Sequence, residues 1–123
     1  MNVGIDIVEI KRLAKQAHNP RFLKRVFTSE EVAYCRARKR SAQHFAVRFA
    51  AKEAVWKAIS PEIVRRSSGG PGLTHRDIQV WNRPDGKPEI RFPGPFKKLA
   101  KRVSISLSHG EDYAVAMAIF HKG

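Results

Sequence analysis

A few residues carry chemistry that their surroundings do not explain. Asp6 is a carboxylate in the middle of the apolar strand-like run Val3-Gly4-Ile5-Asp6-Ile7-Val8. A buried charge without a partner costs several kcal/mol or is neutralised, so Asp6 needs backbone amides, a basic partner or a cation. Glu53 and Lys57 lie one turn apart on an alanine-rich segment. On an exposed helix such a pair stabilises by only about 0.2–0.5 kcal/mol. Here Ala46, Phe49 and Ala50 flank it in projection, which raises its standing as a site. Arg48 and Lys52 fall on a different flank and read as a solvated strip. His109 continues the face of Val103, Ile105 and Leu107 just before a turn, where a hydrogen-bonded structural histidine is the plain alternative to a ligand-binding one. Two carboxylates, a lysine and a histidine suit a hard cation and phosphates better than zinc.

The elements that must position these residues follow from pattern. Val3 to Val8 reads as a strand, and Ile10 and Leu13 with interspersed basic residues as a short amphipathic helix. His18-Asn19-Pro20 breaks that helix, and Arg21 to Val26 forms another short one. Thr28-Ser29-Glu30-Glu31 is a capping box, with Phe27 and Val32 placed as a hydrophobic staple, opening a helix that runs to about Arg38. Ser41 is placed to cap the next. Phe45 to Ile59 is the strongest helix, apolar nearly all round and hence mostly buried, with Ser60-Pro61 expected to end it. Ser67 to Gly72 reads as a flexible loop. Ile78 to Trp81 and Glu89 to Phe92 are strands around the Pro84-Asp85-Gly86 turn, Phe96 to Leu99 a short helix, and the last two strands form a hairpin at Gly110. The predicted class is α+β, one domain over residues 1–123, with helices packed on a mainly antiparallel sheet.

Composition limits the partners. Lys and Arg total 24 against 11 Asp and Glu, a formal net charge of +13, which points to anionic partners such as nucleic acid, anionic lipid, an acidic protein or a polyphosphate. Cys35 is the only cysteine, which excludes an internal disulfide and a multi-cysteine metal site. The longest apolar run, Tyr113 to Phe120, is far short of the about 20 residues a membrane-crossing helix needs. Asp6 stands where a signal peptide would be apolar, so the expected location is the cytoplasm. A basic nucleic-acid-binding module is the alternative that charge alone favours. Against it, there is no zinc-finger spacing and no aromatic–glycine signature of an RNA-binding sheet.

Gly4-Ile5-Asp6-Ile7-Val8-Glu9-Ile10-Lys11-Arg12 resembles the N-terminal signature of the holo-acyl-carrier-protein synthases, the small 4′-phosphopantetheinyl transferases. Arg48-Phe49-Ala50-Ala51-Lys52-Glu53-Ala54-Val55-Trp56-Lys57-Ala58 resembles their second signature, F-x-x-K-E-A-x-x-K-A on a helix. Ser104 to His109 with Tyr113 to Ala116 is similar to their closing hairpin, and Gly86-Lys87-Pro88 to a turn of theirs. The resemblance spans essentially the whole chain in order and spacing. One departure stands out: Ile59-Ser60-Pro61-Glu62 replaces the family's short Gly-Thr-Gly turn. That leaves a catalytically inactive relative as a further alternative, and Ser67 to Gly70 as the segment from which a coenzyme contact would have to be rebuilt.

What the resemblance implies is transfer of 4′-phosphopantetheine from coenzyme A to a serine of an apo acyl carrier protein, in fatty acid biosynthesis. The by-product is adenosine 3′,5′-bisphosphate. By the same resemblance, Asp6 and Glu53 would hold Mg²⁺, and Lys57 would neutralise the leaving phosphate. Arg48 and His109 would contact the coenzyme, with Lys39 and Arg40 at its 3′-phosphate. The serine proton would go to Glu53 or to a metal-bound water. Arg12 and Arg21, supported by Lys24 and Arg25, would dock the acidic carrier protein. The assembly would be a homotrimer with active sites at subunit interfaces, acting on neither nucleic acid nor membrane.

Overall fold

Small residues decide how closely the main helix approaches the main sheet. The computed structural model describes residues 1–67 and 72–122. It shows strand β1 (Asn2–Glu9), helices α1 (Ile10–Gln16), α2 (Pro20–Val26), α3 (Ser29–Arg36) and α4 (Ser41–Ser67), then strands β2 (Gln79–Asn82) and β3 (Pro88–Arg91). A 3₁₀ helix (Gly94–Arg102) leads to strands β4 (Val103–His109) and β5 (Tyr113–Phe120). All strand pairings are antiparallel, in one sheet of order β1-β5-β4 and a separate hairpin of β2 with β3. The α+β class is the expected one.

Helix α4 lies across the larger sheet. Its Ala50, Ala51, Ala54 and Ala58 are fully buried, as are Ala114 and Ala118 of β5. Gly4, opposite Ala118 in register, completes the contact. A Cβ on Gly4 would sit 2.0 Å from the Ala54 carbonyl oxygen and 3.0 Å from the Ala58 nitrogen. Because the clash is with helix backbone, no side chain can swing aside to relieve it. Gly4→Ala should therefore cost stability at the upper end of the about 1–3 kcal/mol typical of overpacking, read as a lower urea midpoint. An unchanged midpoint would contradict the close approach.

From Tyr113 to Ile119 the alternation in β5 runs opposite to residue size. Its alanines and Phe120 face α4, whereas Tyr113 and Met117 lie on the open face with Val3, Ile5 and Ile7 of β1, each of these last three more than half exposed. Large apolar residues thus cover one side of a sheet whose other side holds the core.

Two local expectations change. Helix α3 ends at Arg36 rather than Arg38. Helix α4 does not end at Ser60-Pro61 but continues through Pro61 to Ser67. A mid-helix proline gives up one backbone bond. Here burial of Ile63 to 1% exposure and the ion pairs of Glu62 with Arg65 (2.7 Å) and Arg66 (2.8 Å) hold the extra turns. Hydrogen bonds from those two arginines also keep the Glu62 carboxyl below its ordinary range. The Ile59 to Glu62 departure is thus helix, not turn. Most of the Ser67 to Gly70 segment lies outside the described residues.

The predicted capping box is present. Thr28 accepts from the Glu31 amide at 3.2 Å, and Glu31 accepts from the Thr28 amide at 2.9 Å. Cys35 is a free, fully buried thiol whose pKa burial pushes up to about 11.

Candidate active site

Strand β1 runs into α1 and passes over the middle of α4, so Asp6, Glu53 and Arg12 come to line one cavity of about 620 Å³. Glu9, Phe49 and Tyr113 complete much of its wall. Inward parity in β1 (Gly4, Asp6, Val8) places the Asp6 carboxylate toward the helix, with its side chain 18% exposed. It is bound by a basic partner rather than by backbone amides. Lys57 Nζ donates to Asp6 Oδ1 at 3.1 Å and to the Ile5 carbonyl at 2.9 Å.

The plain alternative for Glu53 and Lys57, an ion pair along the helix, does not form. Lys57 reaches β1 instead, and Glu53 Oε1 bonds His75 Nε2 at 2.8 Å. His75 was not singled out in the sequence. It lies in the connection before β2, and only the tertiary fold brings it to α4, where it stacks on Phe49 (centroids 5.9 Å apart, planes at 13°). Asp6 Oδ2 and Glu53 Oε2 have no hydrogen-bond partner among the described residues.

Arg48 and Lys52 are not a solvated strip. Lys52 is fully buried, and its ammonium donates to Glu31 Oε1 (2.8 Å), the His75 carbonyl (2.9 Å) and the Ile78 carbonyl (2.7 Å). Burial lowers its pKa, and Glu31 opposes that shift. Glu31 is the capping-box glutamate, and its other oxygen accepts the Val80 amide at 2.9 Å. One carboxylate therefore caps α3, neutralises a core lysine and pins β2. The helical wheel put Lys52 on a flank of its own helix, but α3 and the segment before β2 cover that flank.

Arg48 is 4% exposed, donates to Asn82 Oδ1 and lies 3.9 Å over the Tyr34 ring. Its buried Nε has no partner among the described residues. Asn82 in turn donates to the Gly86 carbonyl at 3.0 Å, and Gly86 itself has φ +90°, which ties Arg48 to the Gly86-Lys87-Pro88 turn. Nearby, Arg38 also lies over Tyr34, at 3.4 Å. Burial, then Arg48, Arg38 and His109, lower the pKa of His44, which shows how basic this corner is. His109 is exposed at the end of β4 rather than held in the core. Lys39 and Arg40 are exposed in the turn before α4. Arg12, Arg21, Lys24 and Arg25 are exposed on α1 and α2. The predicted residues thus fall into three groups: Asp6, Glu53 and Arg12 at the cavity with Lys57 bonded to Asp6 beside it, Arg48 and His109 at the basic corner, and the remainder on open surface.

Among the described residues no three His, Cys, Asp or Glu side chains gather as a metal cluster. No helix among them is long and apolar enough to cross a membrane.

An antiparallel sheet crossed by one long helix, with two carboxylates and an arginine on a shared cavity, defines a small α+β protein with a charged candidate site. Residues 2–118 match the family model of the 4′-phosphopantetheinyl transferase superfamily. The holo-[acyl-carrier-protein] synthase of Chloroherpeton thalassium is 42% identical over 122 residues, covering 97% of this chain and 96% of that protein. That of Koribacter versatilis is 39% identical over 126 residues, with 97% and 96% covered. The crystal structure of the Neisseria meningitidis synthase superposes with a TM-score of 0.76 at 32% identity, covering 98% of each chain. The Bacillus anthracis synthase, in complex with CoA (3′,5′-ADP), superposes at 0.75 with 30% identity, covering 99% of this chain and 96% of that one. The chain belongs to the 4′-phosphopantetheinyl transferase superfamily, in its small holo-[acyl-carrier-protein] synthase branch.

Proposed function

We propose that this chain transfers 4′-phosphopantetheine from coenzyme A to a serine of an acidic apo acyl carrier protein, with Mg²⁺ at Asp6 and Glu53. The observation that carries the reading is that Asp6 and Glu53, from different elements, line one cavity with Arg12. The donor set fits the ion. Each carboxylate has one oxygen held by a protein donor, Lys57 or His75, and the other open. Mg²⁺ commonly takes one or two carboxylates and keeps its remaining positions for water and phosphate oxygens. When bound, it supplies neutralisation of charge on a pyrophosphate.

In the reaction the serine oxygen bonds to the β-phosphorus of the coenzyme as the bridging P–O bond breaks, the serine proton passes to Glu53 or to solvent, and adenosine 3′,5′-bisphosphate departs. Little covalent chemistry falls to the protein, so positioning and charge do the work. Lys57 is half exposed, and its bonds to Asp6 and the Ile5 carbonyl hold its charge beside the carboxylate site, where the leaving phosphate would develop. Arg48, Lys39 and Arg40 supply positive charge for the coenzyme's phosphates, and His109 a hydrogen-bonding imidazole beside them. Mass spectrometry of an apo carrier protein incubated with coenzyme A, Mg²⁺ and this protein tests the reading directly. No mass gain by the carrier would refute it and leave the inactive relative standing.

The basic face of α1 and α2 is the dock for the carrier, since arginine can grip a carboxylate with two parallel hydrogen bonds. Arg12→Glu and Arg21→Glu should raise the carrier KM several-fold while coenzyme A affinity holds, and added salt should weaken wild type more than the variants. Identical carrier KM values would eliminate this dock. A nucleic-acid binder would instead bind any duplex with a steep salt dependence and give no transfer.

The open apolar face of β1 and β5 supports self-association, and the family resemblance sets the expected assembly as a homotrimer. A patch carrying Val3, Ile5, Ile7 and Met117 is the kind of surface that copies of a chain cover. Sedimentation at about three times the monomer mass is the expected result.

A further inference from the structure

We infer that His75 is a positioning residue for the metal site: its imidazole fixes the orientation of Glu53. The inference rests on the reading above that Glu53 is a metal ligand. A carboxylate can only accept, so in the 2.8 Å contact His75 Nε2–H donates to Glu53 Oε1 and leaves Oε2 without a partner among the described residues.

His75 is itself held on two sides. Its ring is stacked on Phe49, one turn before Glu53 on the same helix. Its backbone carbonyl accepts from the fully buried Lys52 ammonium at 2.9 Å, which Glu31 holds at 2.8 Å. Residue 75 is thus fixed to α4 through both backbone and ring, and the donor cannot drift from the carboxylate. Glu53 needs such a holder. Its side chain is 28% exposed and has Lys57 one turn away, yet Lys57 is committed to Asp6 and Ile5. A long carboxylate left loose loses rotamer freedom when it binds a cation, and a fixed donor removes that cost in advance. Hydrogen bonds of this kind to a metal-binding side chain typically contribute 10–100-fold to metal affinity or activity.

Two substitutions separate the hydrogen bond from the ring. His75→Phe keeps an aromatic ring against Phe49 and deletes the donor. His75→Gln deletes the ring and keeps an N–H at a similar reach. The measurement is Mn²⁺ binding to the full, coenzyme-free chain by electron paramagnetic resonance titration, with Glu53→Gln as control. Turnover against Mg²⁺ concentration is read in parallel.

The expected result is Mn²⁺ affinity about 10-fold weaker in His75→Phe, near wild type in His75→Gln, and lost in Glu53→Gln. The Mg²⁺ needed for half-maximal turnover of His75→Phe should rise by the same factor, with kcat recovering as Mg²⁺ is raised. Equal Mn²⁺ affinity in His75→Phe and wild type would overturn the role of His75 while leaving the metal site intact. Equal weakness in both His75 variants would assign the effect to the ring rather than the hydrogen bond, and so overturn it too. Binding that survives Glu53→Gln would instead remove the metal reading itself.

Discussion

Asp6→Asn and Glu53→Gln should each lower turnover by about 10²–10³-fold, the scale seen when one group stabilising transition-state charge is removed. Both variants should still fold. Asp6 loses an ion pair with a lysine that is 51% exposed, and such a pair contributes at most about 1 kcal/mol. Glu53 is partly exposed, and its amide replacement keeps an oxygen for His75 to reach. Circular dichroism should be unchanged while carrier modification, followed by mass, collapses. Excess chelator should stop the wild type as completely. Full turnover in chelator or in either variant would overturn the two-carboxylate assignment. Retained coenzyme binding with lost turnover would place the carboxylates in the chemical step rather than in substrate capture.

The largest effect on stability is expected at Lys52, which forms no part of the cavity. Lys52→Met fits the space but leaves Glu31 charged and buried, and removes the donor to the His75 and Ile78 carbonyls. Deleting one member of a buried pair costs about 3–5 kcal/mol, against near neutrality when both members become apolar. Chemical denaturation should show that loss in Lys52→Met. Adding Glu31→Gln should recover only part of it, because Glu31 also accepts the Thr28 and Val80 amides. A loss below about 1 kcal/mol would mean that the pair does not hold the structure together. Turnover should fall too, since residue 75 loses its anchor beside Glu53.

Much of this protein could be read along the chain because local rules govern it. The strand at Asp6, the capping box at Thr28 and Glu31, the proline–glycine hairpin and the alternating final strands depend on near neighbours, and they form as expected. The alanines of α4 announced a buried helix, and two motifs with their spacing pointed to the family. Asp6 and Glu53 stood out because a carboxylate within an apolar element needs a partner.

The partners themselves were decided by tertiary structure. Helical spacing offers Lys57 to Glu53, but β1 crosses the helix and presents Asp6 and a backbone carbonyl, so Lys57 goes there. His75 lies 22 residues beyond Glu53, in a connection with no periodicity to flag it. Arg48 and Lys52 looked solvated because a helical wheel knows one helix, whereas burial depends on whatever packs against it. Pro61 looked like a stop because its backbone cost is local and known, while the burial of Ile63 that offsets it is neither. Residue types by themselves set which charges needed company. Only the packing of distant segments, through burial and the geometry of approach, determined which company each one keeps.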